Sequence, residues 1–115
     1  MKNILITGAF GFIGLHLLAE LKTYKYNLFT FSRSKKKLAN HFSGNLLDEN
    51  NFDEILNHIK PQIIIHLAWE TTPSRFYNHQ SNIKWSSATI NLIEKFFLHG
   101  GEKFIFSSTC DEYEI

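Results

Sequence analysis

Three glycines stand at equal intervals in the stretch TGAFGFIG, residues 7–14: Gly8, Gly11 and Gly14. Glycines at this spacing, directly after an apolar run, either make a tight turn into a helix or open a backbone cradle for a phosphate. In a cradle each has its own task. Gly8 turns the chain with a positive φ. Gly11 leaves room for a pyrophosphate to reach the N–H groups at the helix start, and Gly14 lets the helix pack closely against the strand. Those N–H groups and the helix dipole both favour an anion. The first gap is one residue longer than in G-x-G-x-x-G, so the surrounding elements must separate cradle from turn.

Other residues with chemistry to offer are sparse. The six histidines, at 16, 41, 58, 66, 79 and 99, show no metal-ligand spacing, and no metal is expected. His66 reads as a packed or hydrogen-bonded sheet residue. Cys110 is the single cysteine, which excludes an internal disulfide, fits a reducing compartment and suits a small buried hydrophobe better than a nucleophile. Trp69 and Phe76 read either as lining of a crevice mouth or as exposed loop aromatics.

The elements that must position the glycines follow from periodicity. Residues 3–7, NILIT, form a buried strand, and 12–24 carry Ile13, Leu17, Leu18 and Leu21 at helical spacing. Strands are expected at 27–32, around 42–48, at 62–68 and at 103–108. Residues 34–42, SKKKLANHF, are basic and ambiguous, and leave room for a short helical turn. Residues 49–60 form a helix with Phe52, Ile55, Leu56 and Ile59 on its apolar face, Asp48 or an adjacent Asn as its cap and Pro61 as its stop. Residues 81–101 form a long helix with Ile83, Ile90, Leu92, Ile93, Phe96 and Phe97 as its apolar set, ended by Gly100 and Gly101. Strands alternating with helices predict an α/β fold. It is a doubly wound, Rossmann-like parallel sheet of order 3-2-1-4-5, with its crevice at the carboxyl ends of strands 1 and 4.

The 115 residues make one domain, 1–115, that is 43% hydrophobic and 20% charged. A net charge of +1 makes no case for nucleic acid or a membrane surface. No apolar segment reaches spanning length and the N-terminus is a poor signal peptide, so the expected location is cytoplasmic.

Strand, glycine turn, helix and strand together supply the context of a dinucleotide loop. The end of the second strand should then read the adenosine ribose, with an acid for NAD or a base for the 2′-phosphate of NADP. Between Glu20 and Asp48 there is no acid. Ser32 and Arg33 occupy the place, followed by Ser34 and three lysines, which favours NADP over NAD with Arg33 as the main contact.

The chain resembles the extended short-chain dehydrogenase/reductase family of NAD-dependent, nucleotide-sugar epimerases, dehydratases and reductases. TGAFGFIG is similar to the family's TGxxGxxG loop, whose resemblance implies cofactor contacts from Gly8, Phe10, Gly11, Phe12, Ile13 and Gly14. GNLLD, 44–48, is similar to its G-D-φ-x-D stretch (φ apolar), with Asn45 in place of the adenine-contacting acid and Leu46 beside it. PQIIIHLAW, 61–69, is similar to the strand whose end, at Leu67 and Ala68, lies near the cofactor. YNHQSNI, 77–83, places Asn82 at the family's asparagine. KFIFSSTCDEY, 103–113, is similar to the strand that carries the catalytic hydroxyl, which falls on Thr109 with Ser108 as its rival.

The family's acid/base is a Tyr-x-x-x-Lys pair. None of Tyr24, Tyr26, Tyr77 and Tyr113 is followed by such a lysine. The resemblance therefore implies a cofactor-binding portion, truncated before strands 6 and 7, with the C-terminal substrate domain absent. It would be inactive alone and would bind a nucleotide sugar only when completed by that domain. In the full-length enzyme a hydride would pass between a sugar carbon and the nicotinamide. The alternative is a non-catalytic dinucleotide sensor or interaction module. Self-association through the exposed edge of the fifth strand is also expected.

Overall fold

The computed structural model describes residues 1–47, 52–68 and 79–107, with 79–82 as backbone only. Among these residues, five strands, β1 (Asn3–Thr7), β2 (Asn27–Ser32), β3 (His41–Ser43), β4 (Ile63–His66) and β5 (Lys103–Phe106), are interleaved with three helices, α1 (Phe12–Leu21), α2 (Phe52–Ile59) and α3 (His79–Leu98), β3 following β2 directly. The sheet order is β3-β2-β1-β4-β5, as the alternation predicts. All four pairings are parallel, with Ile4–Thr7 of β1 in register with Ile63–His66 of β4. That register brings the ends of β1 and β4 level, so the segments leaving them face one another.

Side-chain alternation along β1 and β4 divides the core between two faces. On one face Leu5 and Ile64 meet Phe31, Leu46, Phe52, Leu56, Ile59, Trp85, Leu92 and Phe96 beneath α2 and α3. On the other, Ile4, Ile6 and Ile65 pack with Ala9 and Leu18 beneath α1, the one helix on that face among the described residues. The second face is thinner because the β2–β3 connection, 33–40, contains no helix and closes with Asn40 at φ 61.

Two helices turn differently from the expected apolar sets. In α1, Gly14 and Leu18 are buried and Leu17 and Leu21 pack beside them, while Ile13 is 59% exposed. Docking of Gly14 onto the turn before the helix fixes this rotation. In α3 the buried stripe is Trp85, Ala88, Leu92 and Phe96, whereas Ile83, Ile90 and Phe97 are exposed. The helix carries two apolar stripes, and periodicity alone does not say which one meets the sheet.

The stop of α3 is the expected one. Gly100 takes φ 88, its N–H donates to the Phe97 carbonyl, and the Gly101 N–H donates to the Phe96 carbonyl at 2.9 Å. This is a Schellman closure. The expected cap of α2 at Asp48 lies outside the described residues. Among those residues, no helix is long and apolar enough to cross a membrane.

Candidate functional site

The glycine turn leaves β1 at Thr7, and the three glycines divide its work. Gly8 sits at φ 68, in the left-handed region that the reading required. It is also wedged against β4's exit: a Cβ there would lie 2.7 Å from the Ala68 nitrogen and the Leu67 carbonyl carbon. A Cβ on Gly14 would run into the Gly8 carbonyl oxygen and lie 2.6 Å from the Ala9 carbonyl carbon. Gly14 thus lets α1 dock closely onto its own entry turn at the end of β1.

Gly11 is different. It is the N-cap of α1 in an extended conformation, and a Cβ there would touch only the Gly8 carbonyl oxygen, at 3.5 Å, among the described residues. No side chain caps the helix and no acid stands in its first turn. The first N–H groups of α1 are therefore left for an external acceptor, with no carboxylate to repel an anion. The space a Gly11 side chain would fill is the space a pyrophosphate needs, so the turn fits a dinucleotide. Phe12, 82% exposed, and Ile13 flank this opening.

At the end of β2, a histidine that the sequence reading did not single out organises the loop. His41 Nε2–H donates to the Ser34 carbonyl at 3.0 Å, and its Nδ1 hydrogen-bonds the Thr30 hydroxyl at 2.7 Å. The Ser32 hydroxyl donates to the same Ser34 carbonyl. Phe10 of the glycine turn stands edge-on to the His41 ring at 5.4 Å, and Lys36 Nζ lies 5.0 Å over the Phe10 ring. The basic loop is thus folded back over the glycine turn. Lys36, rather than Arg33, is the cation held against it; Arg33 is exposed at the loop's start.

Asn45 Oδ1 accepts the Leu47 N–H at 3.0 Å, so this asparagine braces its own turn, and Leu46 is buried in the core. Leu67 and Ala68 face Gly8 at the crevice. The side chain of Asn82 lies outside the described residues, as do Ser108, Thr109, Cys110, Trp69 and Phe76.

Behind the glycine turn lies a chain of hydrogen bonds whose direction is forced. The Thr89 hydroxyl donates to the Trp85 carbonyl at 2.8 Å, so toward His66 it can only accept. His66 Nε2–H therefore donates to Thr89 Oγ1 at 3.1 Å. Its Nδ1 is then the acceptor, and the Thr7 hydroxyl donates to it at 2.6 Å. Thr7 Oγ1 in turn accepts the Ala68 N–H at 3.3 Å. His66 is 4% exposed, and burial pushes its pKa down to about 4, in keeping with a neutral ring. His66 is thus hydrogen-bonded as well as packed in the sheet, the two roles its sequence position suggests, and its partners come from strand register and from α3.

The model of the NAD dependent epimerase/dehydratase family matches residues 4–114. The chain belongs to that family. UDP-glucose 4-epimerase of Rhizobium meliloti is 31% identical over 125 residues, which cover 97% of this chain and 37% of that protein. A Thermotoga maritima UDP-glucose 4-epimerase structure with UDP-glucose superposes with a TM-score of 0.76 at 29% identity, covering 93% of this chain and 38% of the other. The Campylobacter jejuni UDP-Glc/GlcNAc 4-epimerase shares the fold, with a TM-score of 0.86 at 24% identity over 99% of this chain and 39% of its own. The chain thus spans well under half the length of these relatives.

Proposed function

We propose that this chain is the nicotinamide-dinucleotide-binding portion of a nucleotide-sugar epimerase, dehydratase or reductase. The carrying observation is the Gly11 position: an uncapped helix start, free of acids, with open space where a side chain would stand. The family's description supports a nicotinamide cofactor. The names of the epimerase relatives support a UDP-sugar as the partner of the complete enzyme.

In this reading the first N–H groups of α1 hold the pyrophosphate. Gly8 and Ala68 set the gap between the two strand ends, and Phe10 forms one wall beneath the basic loop. Arg33 and Lys36 supply positive charge where the adenosine ribose would lie, and no acid in 21–47 opposes it. This supports NADP over NAD. The bound nicotinamide supplies the hydride acceptor and donor of the reaction. Thr109, by its place in the motif at 103–113, would hydrogen-bond the reacting sugar oxygen and hold it for proton transfer.

Fluorescence titration with NADPH and NADH tests the reading. Saturable binding by the wild-type chain, lost in Gly11→Val, is expected. Failure of both cofactors to bind, or equal binding by the variant, overturns it.

A further inference from the structure

We propose that His66 is a positioning residue that acts through Thr7 to lock the exit of β4 against the glycine turn. It rests on the dinucleotide reading only for its consequence, not for its geometry.

Five groups, from β1, from β4 and its exit, and from α3, are joined by four hydrogen bonds in one ordered chain. Ala68 N–H points to Thr7 Oγ1, Thr7 O–H to His66 Nδ1, His66 Nε2–H to Thr89 Oγ1, and Thr89 O–H to the Trp85 carbonyl. Each hydroxyl donates once and accepts once, and the imidazole does the same. Thr7, with 0% exposure, and His66 have no water to replace a lost partner. The Ala68 amide that ends the chain is the atom lying 2.7 Å from where a Gly8 Cβ would be. The chain therefore ends where the glycine turn meets the exit of β4.

A hydroxyl with two partners has a fixed direction, and that direction is what His66 gives Thr7. With Nδ1 as acceptor, the Thr7 proton points to the ring and a lone pair is left toward Ala68. If Nδ1 carried a proton, Thr7 Oγ1 would have to accept from the ring as well as from Ala68, and its own proton would lose its acceptor. Thr7 from β1 and Thr89 from α3 hydrogen-bond the ring, and the Phe104 ring of β5 lies 5.9 Å away. None of them is charged. Only the neutral tautomer satisfies every donor in this setting.

The test has a readout that needs no ligand. Amide hydrogen exchange at Ala68 is measured for the wild type, His66→Leu and His66→Asn. Leu removes the acceptor; Asn keeps an amide oxygen close to the position of Nδ1. Ala68 exchange is expected to quicken about tenfold in His66→Leu and to be largely restored in His66→Asn, which also guards against a Leu variant that folds poorly. A second arm uses NADPH affinity in a double-mutant cycle with Thr7→Val. If His66 acts through Thr7, His66→Leu should weaken binding in the wild-type background and add little once Thr7 has lost its hydroxyl. The imidazole nitrogen spectrum at neutral pH should show protonated Nε2 and bare Nδ1.

Unchanged Ala68 exchange in His66→Leu, a protonated Nδ1, or fully additive losses in the cycle would each overturn the proposal. A wild type that binds no dinucleotide, with Ala68 exchange still dependent on His66, would remove the cofactor reading and leave the lock standing.

Discussion

Gly8 and Ala68 approach so closely that a Cβ on Gly8 would lie 2.7 Å from the Ala68 nitrogen. Gly11, three residues on, has no such neighbour. The same loop therefore holds glycines needed by the fold and a glycine free for a ligand. Gly8→Ala combines this clash with strain at φ 68 and is expected to cost about 2 kcal/mol or more. Gly14→Ala must displace the Gly8 carbonyl and should be similarly harmful. Gly11→Val should leave the unfolding free energy from urea denaturation within about 0.5 kcal/mol of wild type yet abolish dinucleotide binding. Denaturation curves alongside fluorescence titrations separate the two classes. A Gly11→Val chain that unfolds as readily as Gly14→Ala would show that the fold needs all three.

The buried imidazole of His66 makes stability depend on pH. In the unfolded chain a histidine titrates near its ordinary value of 6.5; in the folded chain His66 does so at about 4. Above pH 6.5 it is neutral in both states and imposes no cost. As pH falls toward 4, the unfolded chain takes up a proton that the folded chain refuses, so stability falls. Below about 4 this loss levels off, at roughly 3 kcal/mol. Urea midpoints measured from pH 7.5 to 4.5 should decline in the wild type and decline less in His66→Asn. Asp53 adds a loss at lower pH. Its hydrogen bond to His99, and then its pairing with Lys95, hold its carboxyl below the ordinary value, so that contribution fades as pH falls through that lowered value. Parallel slopes for the two proteins above pH 4.5 would show that His66 is not the group responsible.

The glycine turn, the sheet order and the apolar face of α2 were legible because each depends on local signals: glycine spacing, strand-helix alternation and a single apolar stripe. The face of α3 was not. Trp85, Ala88, Leu92 and Phe96 compete with Ile83, Ile90 and Phe97 as apolar stripes on one helix, and only docking against α2 and the sheet selects between them. Partners of His66 and His41 were illegible for a related reason. Thr7 is 59 residues from His66, and register alone brings them side by side. The cationic contact to Phe10 likewise arises from a loop that folds back, which no spacing rule locates.

Under the proposed dinucleotide reading, that loop sets the cofactor preference. Arg33→Asp should weaken NADPH binding by about tenfold and spare NADH, because a carboxylate would face the 2′-phosphate. Lys36→Ala should reduce NADPH affinity less and leave the urea midpoint nearly unchanged, since the ammonium rests on an aromatic face at the surface. Paired titrations with both cofactors measure the ratio. A wild-type preference for NADH would show that the basic loop does not read the ribose phosphate.

The exposed side of β5 gives the last expectation. Among the described residues β5 pairs only with β4, and its outer edge presents N–H and C=O groups to any strand that reaches it. Ile105 and Phe106 are 45% and 55% exposed on opposite faces of that strand, and Lys103 is its one charged residue. Ile105 is in register with Ile65 on the α1 side of the sheet, but at the outer strand, where α1 leaves it exposed. An apolar edge strand without proline is a template for pairing with another copy. The 115-residue chain should therefore self-associate with rising concentration in sedimentation velocity. Ile105→Lys should shift it toward monomer, because a charge at the edge opposes a second strand and the site is too exposed for the change to disrupt the core. Ile13→Lys, at an equally exposed site beside the glycine turn, should leave association unaltered. A wild-type chain that stays monomeric at about 100 μM, a concentration at which exposed strand edges associate, would refute the edge argument. So would equal effects of the two lysine substitutions, which would assign the association to general surface hydrophobicity.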